Sequence, residues 1–164
     1  MKNVTMELDW SELIVAAQIG IMRRVNSLKN GRKDQGLGPS DWTIDIEGAA
    51  AELALAKYLN VYTMPAINTF KAPDVQGFQV RSTKYSNGRL IIRPKDNGDA
   101  PYVLAVTGDL PRVTLVGLLP SGGAAKVPKY DHDDSWWVPQ CDLTDLPERS
   151  TIGDINGEGQ EGPI

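Results

Sequence analysis

The first long stretch of the chain, DWSELIVAAQIGIMRRVNSLKN, sets Leu13, Ala16, Ala17, Gly20, Ile21 and Val25 at the spacing of one helix face. It predicts a helix with that face turned inward and with Asp9 or Ser11 as its cap. The glycines and proline of GRKDQGLGPSD then interrupt the pattern as a loop. Periodicity resumes in DIEGAAAELALAKYLN, where Gly48, Ala49, Ala50, Ala51, Ala54 and Ala56 predict a second helix, ended by Asn60, that another element can approach closely. After the irregular VYTMPAINTFKAPD the period changes, and GFQVRSTKY, RLIIRP, YVLAVTG and RVTLVGLLP read as strands. Gln79 and Arg81 of the first share one face and Phe78 and Val80 the other. Asn87-Gly88 predicts a hairpin between the first two runs, and the unbroken apolar YVLAV predicts a strand covered on both faces. Two helices followed by four strands make this a chain of mixed helix and strand content.

Composition adds bounds. The chain has 164 residues, 41% hydrophobic and 23% charged, which suits one domain over residues 1–148. Residues 149–164 carry little apolar content and are expected to form a disordered acidic tail. Subtracting only the segment GDINGEGQEGPI, with Asp154, Glu158 and Glu161, moves the net charge from -4 to about -1. Two basic clusters stand against that background, Arg23, Arg24, Lys29, Arg32 and Lys33, then Arg81, Lys84, Arg89, Arg93 and Lys95. Arg23, Arg24, Lys84, Arg89 and Arg93 are the candidates for phosphate contact. No apolar run approaches the roughly 20 residues that span a bilayer, and MKNVTMELDW lacks a basic region followed by an apolar one, so a cytoplasmic protein without membrane contact is expected.

Cys141 and His132 are each single, which excludes an internal disulfide and disfavours a Cys/His zinc site or a histidine-based triad. Catalysis would have to use carboxylates, amides, lysines and arginines. SGGAAK lacks the spacing of a phosphate loop and reads as a turn, and Trp136 and Trp137 read as packing residues at a core edge.

The order of helix with internal glutamate, then Pro-Asp, then a strand bearing Gln-Val-Arg resembles the PD-(D/E)XK nuclease superfamily, the restriction-endonuclease-like fold, over about residues 48 to 106. The resemblance implies an α/β domain with the N-terminal helices packed on a mixed β-sheet, and the whole chain also looks like small phage-encoded proteins. In GAAAELALAKYL the resemblance gives Glu52 the role of the helical acid, with Glu47 in reserve, and it gives Asp74 the role of the Pro-Asp aspartate. Gln79, Val80 and Arg81 fall on the Glu-x-Lys positions. The implied catalytic set is Glu52, Asp74, Gln79 and Arg81, and the implied ligands of Mg2+ or Mn2+ are Asp74, Gln79 and the Val80 carbonyl, an oxygen set of the kind a hard cation takes.

Two departures alter that chemistry. Gln79 is neutral where the family usually has an acid, which removes one charge from the metal site. Arg81 stands for lysine; it stays protonated, so it can clamp a phosphate but not act as a base. Lys84, the other candidate for the missing lysine, has the wrong strand parity and ranks below Arg81. The expected function is metal-dependent hydrolysis of DNA in a host cytoplasm, with Glu52, Asp74 and Gln79 converging on one point and Arg81 facing it. The alternatives are a degenerate nuclease-fold protein that grips DNA or a host or phage protein, and a phage structural or assembly factor.

Overall fold

The computed structural model describes residues 3–31, 41–62, 67, 73–124, 129 and 134–147. The expected tail at 149–164 and His132 lie outside them. A short strand β1 (Val4–Glu7) leads into helix α1 (Trp10–Lys29). Of the two candidate caps, Asp9 takes the position: its carboxylate accepts the Glu12 N–H at 2.9 Å while Glu12 accepts the Asp9 N–H at 2.7 Å. The Ser11 hydroxyl and the Glu12 N–H, both donating to it, hold the Asp9 carboxyl below its ordinary range. Glu12 also meets Lys57 Nζ at 2.7 Å, pinning the start of α1 to the end of α2 (Asp41–Leu59).

The two helices cross where the sequence places its small residues. Ala49, Ala50, Ala51 and Ala54 are fully buried, and a Cβ on Gly20 would lie 2.6 Å from the Ile46 backbone. The missing side chain is therefore what lets the helices approach. Gly20→Ala, which in an open helix would stabilise, is expected to lower stability by about 1–3 kcal/mol through overpacking, read from urea unfolding. Helix α2 ends as expected at Asn60, whose φ of 56° is left-handed, with Val61 N–H donating to the Ala56 carbonyl at 3.0 Å.

The inward face of α1 differs from the one expected. Ala16, Ile19, Gly20 and Arg24 are buried, whereas Ile21 and Val25 are exposed. Ala16 and Gly20 are buried where the spacing places them and Leu13 and Ala17 are partly buried, but Ile21 and Val25 belong to a second face, turned away from α2.

Strands β2 (Gln79–Thr83), β4 (Tyr102–Asp109) and β5 (Arg112–Leu119) join β1 in a mixed sheet of order β1-β5-β4-β2. Here β2 runs parallel to β4 and the other pairs are antiparallel. Strand β4 is covered on both faces, as its composition predicts: Val103 and Ala105 face the helices, while Tyr102 and Leu104 face a ribbon of β3 (Leu90–Ile92) and β6 (Trp136–Val138). The result is a layer of helices, the sheet, and the ribbon. Among the described residues no helix is long and apolar enough to cross a membrane.

The expected hairpin at Asn87-Gly88 does not form between the first two strands. The turn is present, with Gly88 N–H on the Tyr85 carbonyl at 3.0 Å and the Gln140 amide donating to the Ser86 and Gly88 carbonyls. Yet β3 leaves β2 and pairs with β6, because Leu90 and Ile92 bury completely under the sheet. Trp136 and Trp137 are thus strand residues of that ribbon, and Trp136 packs against its core, in keeping with its reading as a packing aromatic.

Candidate active site

Strand β2 is the edge of the sheet, and its alternate backbone groups point away from β4. Gln79 N–H turns inward to the Pro101 carbonyl at 2.9 Å, so the N–H and carbonyl of Val80 leave by the open edge. A tight turn brings Asp74 to that edge. Gln76 and Gly77 both have positive φ, 43° and 89°, and Val75 and Phe78 bond across them, folding the chain back along β2. The Asp74 Oδ2 atom then accepts the Val80 N–H at 2.8 Å. Because a strand residue's N–H and carbonyl leave the same side, the Asp74 carboxylate and the Val80 carbonyl are neighbours.

Val80 itself anchors the strand, its side chain buried with Phe78 against the helix layer. Gln79 and Arg81 turn to the other face, as strand parity predicts. Arg81 lies over the Tyr102 ring at 5.2 Å and curls round the edge, donating from Nη1 to the Val80 carbonyl at 3.2 Å and meeting Asp96 Oδ2 at 3.1 Å. That carboxylate also accepts the Arg93 N–H at 3.0 Å.

Helix α2 contributes Glu52, buried among alanines, and α1 meets it with Arg23. The guanidinium binds both Glu52 oxygens, each at 2.8 Å. Burial raises the Glu52 pKa above its ordinary 4.5, Arg23 pulls it back, and the charges of Asp74 and Arg81 act on it in opposite senses. Asp74 is likewise raised by burial, opposed by the Val80 N–H, Arg81 and Arg23, and pushed further by Asp96. Burial works against the charge of Arg23, but Glu52, with Asp74 and Asp45, more than offsets it and raises its pKa. Glu52, Asp74, Arg81, Arg23 and Asp96 thus share one electrostatic neighbourhood at the β2 edge.

The remaining candidates lie elsewhere. Glu47 and Lys84 act on each other: burial raises the Glu47 pKa, and Lys84 and the Thr107 hydroxyl oppose it. Lys84 lines an open groove of about 460 Å³ with Ser86, Val106, Arg112 and Thr114, and it sits over the Tyr85 ring. Arg24 is corrected as a phosphate contact: it is 5% exposed and bonded to Asp45 at 2.8 Å, so it ties α1 to α2. Arg23 is likewise turned into the site by Glu52. Arg89 is exposed and Arg93 half-buried, either side of β3.

The sequence assigns neither Asp96 to the site nor Arg23 to Glu52. No local pattern marks either one: Arg23 and Glu52 are 29 positions apart, and Asp96 lies in a polar turn that reads only as a connection.

The donor set tests the metal that the resemblance implies. Asp74, the Val80 carbonyl and the Gln79 amide are oxygen donors of the type magnesium takes, so they fit in kind. Among the described residues no group of three or more His, Cys, Asp or Glu could hold a metal. A cation here would rest on a single carboxylate and neutral oxygens, with both oxygens of Glu52 occupied by Arg23. Comparisons with family models, curated proteins and solved structures find no match.

Proposed function

We propose that the protein has a restriction-endonuclease-like fold and hydrolyses phosphodiester bonds in DNA, as a phage-encoded enzyme of the host cytoplasm. The observation that carries this reading is the Asp74 carboxylate docked on the outward N–H of Val80, within the electrostatic reach of Glu52 and Arg81. Asp74, Gln79 and the Val80 carbonyl would hold Mg2+ or Mn2+, which when bound supplies positive charge against the phosphate and a more nucleophilic water. Arg81, always protonated and already at the strand edge, orients the phosphate and balances its charge. Glu52 adds a second carboxylate, restrained by Arg23. The exposed Lys84 and Arg89 contact the DNA backbone beyond the site, with Arg93 beside them.

One observation favours a second reading. Glu52 is neutralised by Arg23, and Arg81 meets both Asp96 and the Val80 carbonyl, so two of the three carboxylates of the site are charge-balanced without a metal. A degenerate member of the fold that binds DNA, or a host or phage protein, without cutting fits that balance. Incubation with linear, supercoiled and single-stranded DNA in magnesium or manganese decides between them: metal-dependent cleavage supports the enzyme, and binding without cleavage supports the second reading. Gln79→Glu adds the acid that the family usually carries. It is expected to tighten manganese binding by about tenfold in calorimetry, since ligand charge tunes affinity. Unchanged affinity would remove Gln79 from the ligand set.

A further inference from the structure

We infer that helix α1 is the interface of a symmetric dimer, its partner being a second copy of this chain. Ile14, Ile21 and Leu28 recur every seven residues. At 100° per residue they fall, with Trp10 and Val25, within about 60° of one another around the helix. This stripe is the face that turns away from α2, and its five side chains keep between 46% and 71% of their surface exposed.

Trp42 extends the patch from the neighbouring helix. It lies three residues before Asp45, on the α2 face that meets Arg24, and so flanks the C-terminal half of α1. With ordinary whole-residue areas these six residues expose roughly 650 Å², more than the few hundred Å² usual for a monomer and about four-fifths of the ~800 Å² that each partner buries in a standard interface.

The spacing selects a helix as the occupant, because a seven-residue repeat keeps a seam in register with a second helix carrying the same repeat. The charges select another copy over a lipid surface. A membrane-surface helix flanks its apolar stripe with lysine and arginine. Among the described residues of α1, Arg23 and Arg24 are turned to Glu52 and Asp45, and the solvent flank offers Ser11, Gln18 and the cation Lys29. Two copies fit antiparallel about a two-fold axis at Ile21, which sets Ile14 of one against Leu28 of the other. That arrangement places the two Lys29 residues about 24 Å apart along the axis, so no like charges face each other.

Sedimentation of the full chain from about 1 to 100 μM tests this. The wild type is expected to dimerise. Ile21→Glu is expected to weaken the dimer by about 100-fold or more, with the circular dichroism spectrum unchanged because the side chain is exposed in each monomer. Ile14→Lys and Leu28→Glu should each weaken it, and the two combined in one chain should regain much of the affinity, since the new charges meet across the axis. A wild type that stays monomeric throughout overturns the proposal. If that monomer binds anionic vesicles, or dimerises only when the chain is ended at Pro147, the occupant is instead a membrane or the chain's own C-terminal segment. A dimer indifferent to Ile21→Glu also overturns it.

Discussion

Asp74→Asn is expected to abolish metal-dependent DNA cleavage, by on the order of 10³-fold or more, while DNA binding is retained or tightened. Asparagine keeps an acceptor for the Val80 N–H, so the turn that delivers residue 74 to the strand edge should persist. It removes only the charge. Asp74 is the one carboxylate in the proposed ligand set, and Glu52, clamped by Arg23, cannot replace it without surrendering two short hydrogen bonds. The same charge repels a phosphate when no cation intervenes, so its removal leaves binding intact or stronger. Arg81→Ala should behave differently and weaken both cleavage and binding, because it deletes the cation proposed to meet the phosphate. Cleavage rates in magnesium and manganese, with fluorescence anisotropy on the same DNA, measure both effects. An Asp74→Asn variant that cuts within a few-fold of wild type would sink the assignment of the site.

How far the sequence reveals this arrangement depends on the range of the interaction concerned. Helix α2 and strand β4 are legible because each buries its residues with a clear pattern, alanines at the helix contact and an unbroken apolar run in the strand. Strand β6, of 3 residues, is too short to display a period, and β1, of 4, alternates Val4-Thr5-Met6-Glu7 over too few positions to stand out as a strand. The stripe of Ile21 and Val25 shows the converse: a helical period announces an apolar face, but not whether the core or another molecule will cover it. Asn87-Gly88 likewise specifies a turn, while the burial of Leu90 and Ile92 decides which strand pairs with which.

The site divides in the same way. The order Glu52, Asp74, Arg81 can be read along the chain, and the structure gathers those three. Their counterions cannot be read. Arg23 and Asp96 are brought to the site by helix packing and by a turn, and they change its character from an open acidic cluster to one in which guanidinium groups already engage Glu52 and the Val80 carbonyl.

That balance carries the largest expected effect on stability. Arg23→Met should destabilise the fold by about 3 kcal/mol at pH 7, the lower end for breaking a buried ion pair because Arg23 keeps 19% of its side chain exposed. The loss arises from Glu52, left buried and ionised without its partner. Its folded pKa already lies above the ordinary 4.5 through burial, and removing Arg23 raises it further. A group raised in the folded state disfavours folding where it must ionise, so the penalty is full above the variant's folded pKa. It fades as the pH falls toward 4.5 and below, where Glu52 is protonated in both folded and unfolded chains. Replacing both members, Arg23→Met with Glu52→Met, should recover most of the stability, since an apolar pair of similar volume leaves no charge uncompensated. Urea unfolding of the wild type, both single variants and the double variant at pH 7 and at pH 4 measures the coupling. A penalty for Arg23→Met that is equal at the two pH values, or that Glu52→Met fails to relieve, would show that Arg23 acts through packing and not through the charge of Glu52.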